Sequence, residues 1–163
     1  MACHGGSTHH QLVGIKTAGG KTILCPSAPG SLDDSMLIGV VTSEDGAPRV
    51  LPMQQPLPVT PEILALAEPV SPSEVFRFAS SCRAEGCTHF QDHACQLAVR
   101  SVDLLDPVAD TLPKCPIRPQ CRWFLQEGPA ICSRCPQIVT DQYVPHERML
   151  EIVYGTDPPP LSP

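Results

Sequence analysis

The sequence predicts an α+β protein, with a small N-terminal antiparallel β-sheet or partial barrel followed by a helical, loop-rich domain whose cysteines bind a metal. Two observations favour this fold class. Short β-type runs separated by glycine turns fill the N-terminal third, and seven of the nine cysteines lie between Cys82 and Cys135. An aromatic content of 4% and 20 prolines allow only a modest core. Metal ligands are therefore expected to stabilise the fold.

The β-rich segment is predicted over residues 11–58, after a flexible N-terminus at residues 1–10. One hairpin is expected to pair residues 12–17 with 21–25 across a glycine turn, and a second to pair residues 36–42 with 49–53. Prolines at positions 52, 56, 58 and 61 end the sheet. We therefore expect four antiparallel strands in this segment.

Two capping signals open residues 59–145, which are predicted as the helical, cysteine-rich metal-binding domain. Thr60 and the following proline are typical of a helix N-terminus. Ser71 and Glu74 have the spacing of a capping box, which predicts a second helix that continues through Phe78.

Further elements are predicted towards the C-terminus. A helix is expected from about Asp92 to Leu105, a helical turn over residues 122–126 and a strand over residues 137–140. Residues 146–163 are predicted to contain a short amphipathic stretch at 149–154 and a disordered, proline-rich tail.

Composition and charge exclude several classes of protein. No run of 18 apolar residues is present, so no membrane association is expected. The first residues lack the basic and apolar regions of a secretory signal, which predicts a cytoplasmic protein in which disulfides seldom persist. A net charge of −6 makes nucleic acid an unexpected partner.

The cysteine spacing predicts an iron–sulfur protein with one or two clusters, most simply of the 4Fe-4S type. The predicted ligands are Cys82, Cys87, Cys95, Cys115, Cys121, Cys132 and Cys135. A proline follows both Cys115 and Cys135, as it follows the last ligand of many bacterial ferredoxin runs. Arginines among these cysteines offset the negative charge of a thiolate-bound cluster.

The sequence leaves the metal and the grouping of ligands open. His89 and His93 lie between Cys87 and Cys95, and mixed Cys/His ligation is typical of zinc. One group would combine Cys82, Cys87 and Cys95 with Cys115 or His89. The other would combine Cys121, Cys132 and Cys135 with Cys115 or an outside ligand.

Other candidate residues have simpler interpretations. Cys25 ends a predicted strand and is interpreted as a structural, buried thiol. Trp123 and Phe124 are interpreted as a hydrophobic cover beside the metal site. Cys3 and the nearby histidines, His4, His9 and His10, are undecided between a metal site and a solvated terminus.

The predicted function is electron transfer, or an accessory role, for a partner redox enzyme or protein. The ligands lie in one short segment without a recognisable nucleotide-binding or catalytic motif, which favours a carrier over an enzyme. The alternatives are a zinc-stabilised interaction module and an enzyme whose cluster or metal has an open coordination position.

Overall fold

The structure is a computed structural model that describes residues 16–141 and 147–156. Within these residues, the main sheet is antiparallel and has four strands in the order β1-β4-β2-β3. The strands are β1 (Leu24–Cys25), β2 (Met36–Glu44), β3 (Ala47–Pro58) and β4 (Phe76–Ser81). A separate small hairpin pairs β5 (Phe90–Gln91) with β6 (Ala94–Cys95). The predicted α+β class with a small antiparallel sheet is confirmed.

Six α-helices accompany the sheet in the described part of the chain. They are α1 (Pro61–Ala65), α2 (Pro72–Val75), α3 (Gln96–Leu104), α4 (Arg122–Glu127), α5 (Pro129–Cys132) and α6 (Glu147–Tyr154). Both predicted helix starts are confirmed. The Thr60 side chain accepts a hydrogen bond from the backbone N–H of Ile63, and Ser71 and Glu74 form a reciprocal capping box. None of the described helices has the length and apolar character needed to cross a membrane.

The predicted extension of the second helix through Phe78 is wrong, because the chain enters β4 directly after Val75. Strand β4 is central in the sheet and pairs with both β1 and β2. Its side chains alternate between two faces, as the period of a strand requires. Phe76 and Phe78 pack in one hydrophobic cluster, whereas Ala79 packs in the other.

Four other predicted features differ from the structure. The prolines do not end the sheet as predicted, since β3 continues through Pro52 and Pro56 to Pro58, which an edge strand permits. Helix α3 begins at Gln96 rather than near Asp92, because Asp92 and His93 have positive φ angles of 51° and 62° and form the turn of the β5–β6 hairpin. Residues 137–140 are not a strand, since a 3-10 turn covers Cys135–Gln137. The first predicted strand lies mostly outside the described residues, but Lys16 at its end forms an antiparallel bridge with Thr22, as the predicted hairpin requires. Of the predicted strand at residues 21–25, the main sheet includes only Leu24–Cys25.

The larger core lies between the sheet and the cysteine-rich segment. It joins Leu24, Ile38 and Ala79 of the sheet to buried side chains that follow the sheet in sequence, such as Trp123 and Ile152. A smaller cluster around Phe78 covers the opposite face. The central strand of the sheet thus comes from the predicted residues 59–145, and the sheet supports the cysteines from one side. The domain boundaries themselves stay a prediction.

Candidate metal centre

Four cysteines line one cavity of about 90 Å³ between the sheet and the cysteine-rich segment: Cys115, Cys121, Cys132 and Cys135. A single water needs only about 10–15 Å³ of such space, so this cavity is several times larger than one water requires. Most of its other lining side chains are apolar, including prolines, Ile38 and Ile131. The sequence left open which group of cysteines Cys115 joins. In the structure, Cys115 lies with Cys121, Cys132 and Cys135.

Short secondary elements present these four cysteines. Cys115 precedes a 3-10 turn over Arg118–Gln120, and Cys121 is the N-cap of α4. Cys132 ends α5, and Cys135 begins the next 3-10 turn. Proline and glycine explain these frequent breaks, because Gly128 between α4 and α5 has a φ of 65° and Pro129 begins α5. The turns bring sulfurs from separate elements to one cavity.

The four sulfurs interact electrostatically. Burial raises the pKa of Cys121 well above its ordinary value, and negative charges at Cys135 and Cys115 raise it further. Burial also raises the pKa of Cys132 and of Cys135, and charge at Cys115 adds to the effect in both cases. Neighbouring thiolates oppose one another in this way unless a cation lies between them. A metal ion between the sulfurs would offset this repulsion, and its binding would displace the thiol protons.

Cationic side chains surround the same cavity. Its described lining includes Arg49, Arg77, Lys114 and Arg118 and no acidic residue, in a chain whose net charge is −6. Arg118 lowers the pKa of Cys132, although less strongly than burial raises it. Clustered positive charge in an acidic protein favours a group that is negatively charged once its thiolate ligands are included.

Arg77 is the most deeply buried of these cations. It is 4% exposed on β4, and its Nη2 donates hydrogen bonds to the backbone oxygens of Cys135 (2.9 Å) and Pro136 (3.4 Å). Its Nε and Nη1 atoms are buried and have no hydrogen-bond partner within the described residues. A buried guanidinium with unused donors is costly, and an anionic group in the cavity would compensate it.

Sequence reasoning missed Arg77 because it precedes the first predicted ligand and belongs to no cysteine motif. A signal was nevertheless present. The run Phe76-Arg77-Phe78-Ala79 places one cation within an apolar segment. Buried arginines are rare unless they are paired, so such a residue indicates an anionic partner.

The remaining predicted ligands lie apart from this cavity. Cys82 and Cys95 are free thiols, whereas Cys87 is buried and is disulfide-bonded in the structure. His89 is 7% exposed, and His93 is exposed at the turn of the β5–β6 hairpin. Cys3, His4, His9 and His10 lie outside the described residues.

No set of three or more His, Cys, Asp or Glu residues in the described ranges is arranged to hold a single metal ion. The cavity cysteines line a common space and do not converge on one point. Sulfurs that share a tetrahedral zinc ion lie only about 3.8 Å apart, as a Zn–S distance of about 2.3 Å requires. A polynuclear cluster separates its thiolate ligands more widely, because each binds a different iron.

A comparison with protein-family models, with curated proteins and with solved structures gives no match to this chain. The functional argument therefore rests on the site itself.

Proposed function

We propose that this protein binds an iron–sulfur cluster through Cys115, Cys121, Cys132 and Cys135, and that it transfers electrons to, or assists, a partner redox enzyme or protein. The observation that carries the proposal is the single cavity that these four cysteines line together with the buried Arg77. Four thiolates are the usual ligand set of a 4Fe-4S cluster.

The charge of the site supports a cluster. A 4Fe-4S core with four thiolates carries net negative charge, and the four cations of the cavity lining balance it. The unpartnered Nε and Nη1 atoms of Arg77 supply hydrogen-bond donors on the sheet side of the cavity. Apolar walls exclude water and influence the reduction potential.

The number of ligands supports electron transfer over catalysis. When four cysteines bind the four irons, no iron has an open position for a substrate. Cys115, Cys132 and Cys135 are only partly buried, which brings the cluster close to the surface and to a partner protein. We further propose a cytoplasmic environment, which is supported by seven of the eight described cysteines being free thiols, whereas Cys87 is disulfide-bonded.

The test is anaerobic purification, or reconstitution with iron and sulfide, followed by visible spectroscopy and by iron, sulfide and zinc analysis. A brown protein with equal amounts of iron and sulfide is expected. The variants C132S and C135S should lose this cluster. The matched control is Ser133→Ala, because Ser133 lies between these two cysteines and its hydroxyl bonds only to the Ala130 backbone and to the Arg134 side chain. A colourless protein with stoichiometric zinc would contradict the proposal and establish the zinc-stabilised alternative.

A further inference from the structure

Arg118 begins the 3-10 turn that leads directly to Cys121, one of the proposed ligands. The turn is attached on both sides, because Ile117 is 1% exposed and the side-chain amide of Gln120 donates to the backbone oxygen of Thr22 at 3.0 Å. The backbone oxygen of Arg118 accepts a hydrogen bond from the N–H of Cys121 at 3.2 Å. The backbone of Arg118 is therefore held in place by the same loop that carries the ligand.

The side chain of Arg118 lines the four-cysteine cavity together with Phe124 and Cys132. Its guanidinium carbon lies 5.9 Å from the centroid of the Phe124 ring, within the range of a cation–π contact. Its Nε and Nη2 atoms are buried and have no hydrogen-bond partner within the described residues. Buried donors without acceptors are costly, so the cavity is expected to supply an acceptor for them.

Sulfur is the acceptor that this cavity offers to Arg118. Burial raises the pKa of the Cys132 thiol, and a side-chain hydrogen bond from Arg118 opposes that effect, which places the guanidinium within reach of this sulfur. The described lining of the cavity contains no carboxylate that would compete for the guanidinium. Hydrogen bonds to cluster sulfurs are one of the means by which a protein sets the reduction potential of a cluster.

Arg77 and Arg118 use their donors differently. Arg77 donates to the backbone oxygens of Cys135 and Pro136, so part of its guanidinium is occupied by the chain. Arg118 has no such bond to a backbone oxygen within the described residues, and its buried donors stay free for a sulfur acceptor.

We propose that the guanidinium of Arg118 donates hydrogen bonds to the Cys132 sulfur and to the adjacent sulfide of the cluster, and that these bonds raise the reduction potential of the cluster. The proposal rests on the function proposed above. Reduction transfers one electron from the partner to the cluster and neither forms nor breaks a covalent bond. The added electron increases the negative charge on the sulfurs, so N–H···S hydrogen bonds strengthen and stabilise the reduced state.

Redox titration of Arg118→Met and Arg118→Lys, each reconstituted anaerobically, tests this inference. Both variants retain the four cysteines and should bind about four iron atoms. R118M should make reduction about tenfold less favourable, which lowers the potential by about 59 mV for a one-electron couple. R118K retains the positive charge but lacks the planar set of donors, so it should recover only part of this loss. If R118M does not assemble a cluster, a lowered potential in R118K still tests the proposal.

The matched control is Arg122→Met. Arg122 also lies over an aromatic ring, with its guanidinium carbon 4.7 Å from the centroid of Phe90, but it does not belong to the described lining of the cavity. R122M removes the same charge four residues further along the chain and should leave the reduction potential unchanged.

The outcomes separate this inference from the proposed function. An unchanged potential in R118M, full recovery in R118K, or equal shifts in R118M and R122M would each overturn the role of Arg118 and leave the four-cysteine site intact. Absence of any iron–sulfur cluster from the native chain would overturn both proposals.

Discussion

Leu24 of β1 and Cys121 at the start of α4 form a parallel β-bridge that joins the sheet to the cysteine-rich segment. Cys121 also lines the four-cysteine cavity, so this bridge attaches β1 directly to the wall of the cavity. A two-residue strand thus connects the sheet to the proposed cluster site. This contact explains how a chain with few aromatic residues can hold its cysteines in fixed positions relative to a sheet.

Replacement of Arg77 by methionine should lower the reduction potential of the cluster. Reduction adds negative charge next to the buried guanidinium, and loss of the cation makes that step less favourable. If the interaction contributes about 1.4 kcal/mol, the potential should fall by about 59 mV for a one-electron couple. Redox titration of the reconstituted R77M protein measures the shift.

Arg49→Met is the matched control for this measurement. Arg49 also lines the cavity, but its side chain is 31% exposed and Nε lies 3.4 Å from a carboxylate oxygen of Glu44. Solvent and this ion pair already screen the charge of Arg49, so R49M should shift the reduction potential less than R77M does. Equal shifts in R77M and R49M would show that Arg77 has no special role at the cluster.

Removal of the cluster should loosen residues 115–135 selectively. These residues have short helices and turns, and the empty cavity would leave Arg77 without an anionic neighbour. Amide hydrogen exchange in this segment should accelerate by about tenfold or more, which corresponds to about 1.4 kcal/mol of lost protection. The paired Val40 and Leu51 of β2 and β3 serve as the internal reference. Uniform acceleration across the whole chain would instead indicate global destabilisation.

Substitution of Ile152 by alanine should destabilise the larger core. Ile152 is 0% exposed on α6 and packs in the cluster that includes Trp123. The loss of a buried isoleucine side chain typically lowers the free energy of unfolding by about 2–5 kcal/mol. Leu66 is 75% exposed, so Leu66→Ala should change the free energy of unfolding by less than about 0.5 kcal/mol. Urea denaturation measures both variants, and equal effects would refute the assigned core.

Gly39 is expected to tolerate no side chain. A Cβ at this position would lie 2.5 Å from Cγ1 of Val50 and 2.8 Å from the backbone oxygen of Leu51, at the irregularity between β2 and β3. Gly39→Ala should therefore lower the free energy of unfolding by about 1–3 kcal/mol. A Cβ at Gly19 would have its closest contact at 3.8 Å, so G19A is the control. Thermal denaturation measures both variants. A lower melting temperature for G19A than for G39A would contradict the packing described here.

The sequence correctly predicted features that depend only on residues close together in the chain. The cap at Thr60 and the capping box of Ser71 and Glu74 are confirmed, because a cap forms between a side chain and the backbone three residues away. The extension of that helix through Phe78 failed for the opposite reason. Pairing with two neighbouring strands and burial of alternate side chains decided the conformation of β4.

The sequence by itself determined that a group of cysteines, separated by short gaps and prolines, occupies residues 82–135. Short gaps limit how far apart sulfurs can lie, so close approach of Cys132 and Cys135 follows from spacing alone. Only the tertiary structure decided that Cys115 joins these two at the cavity and that Arg77 faces it. Those relationships depend on strand order and on burial between segments distant in the chain, which local spacing does not specify.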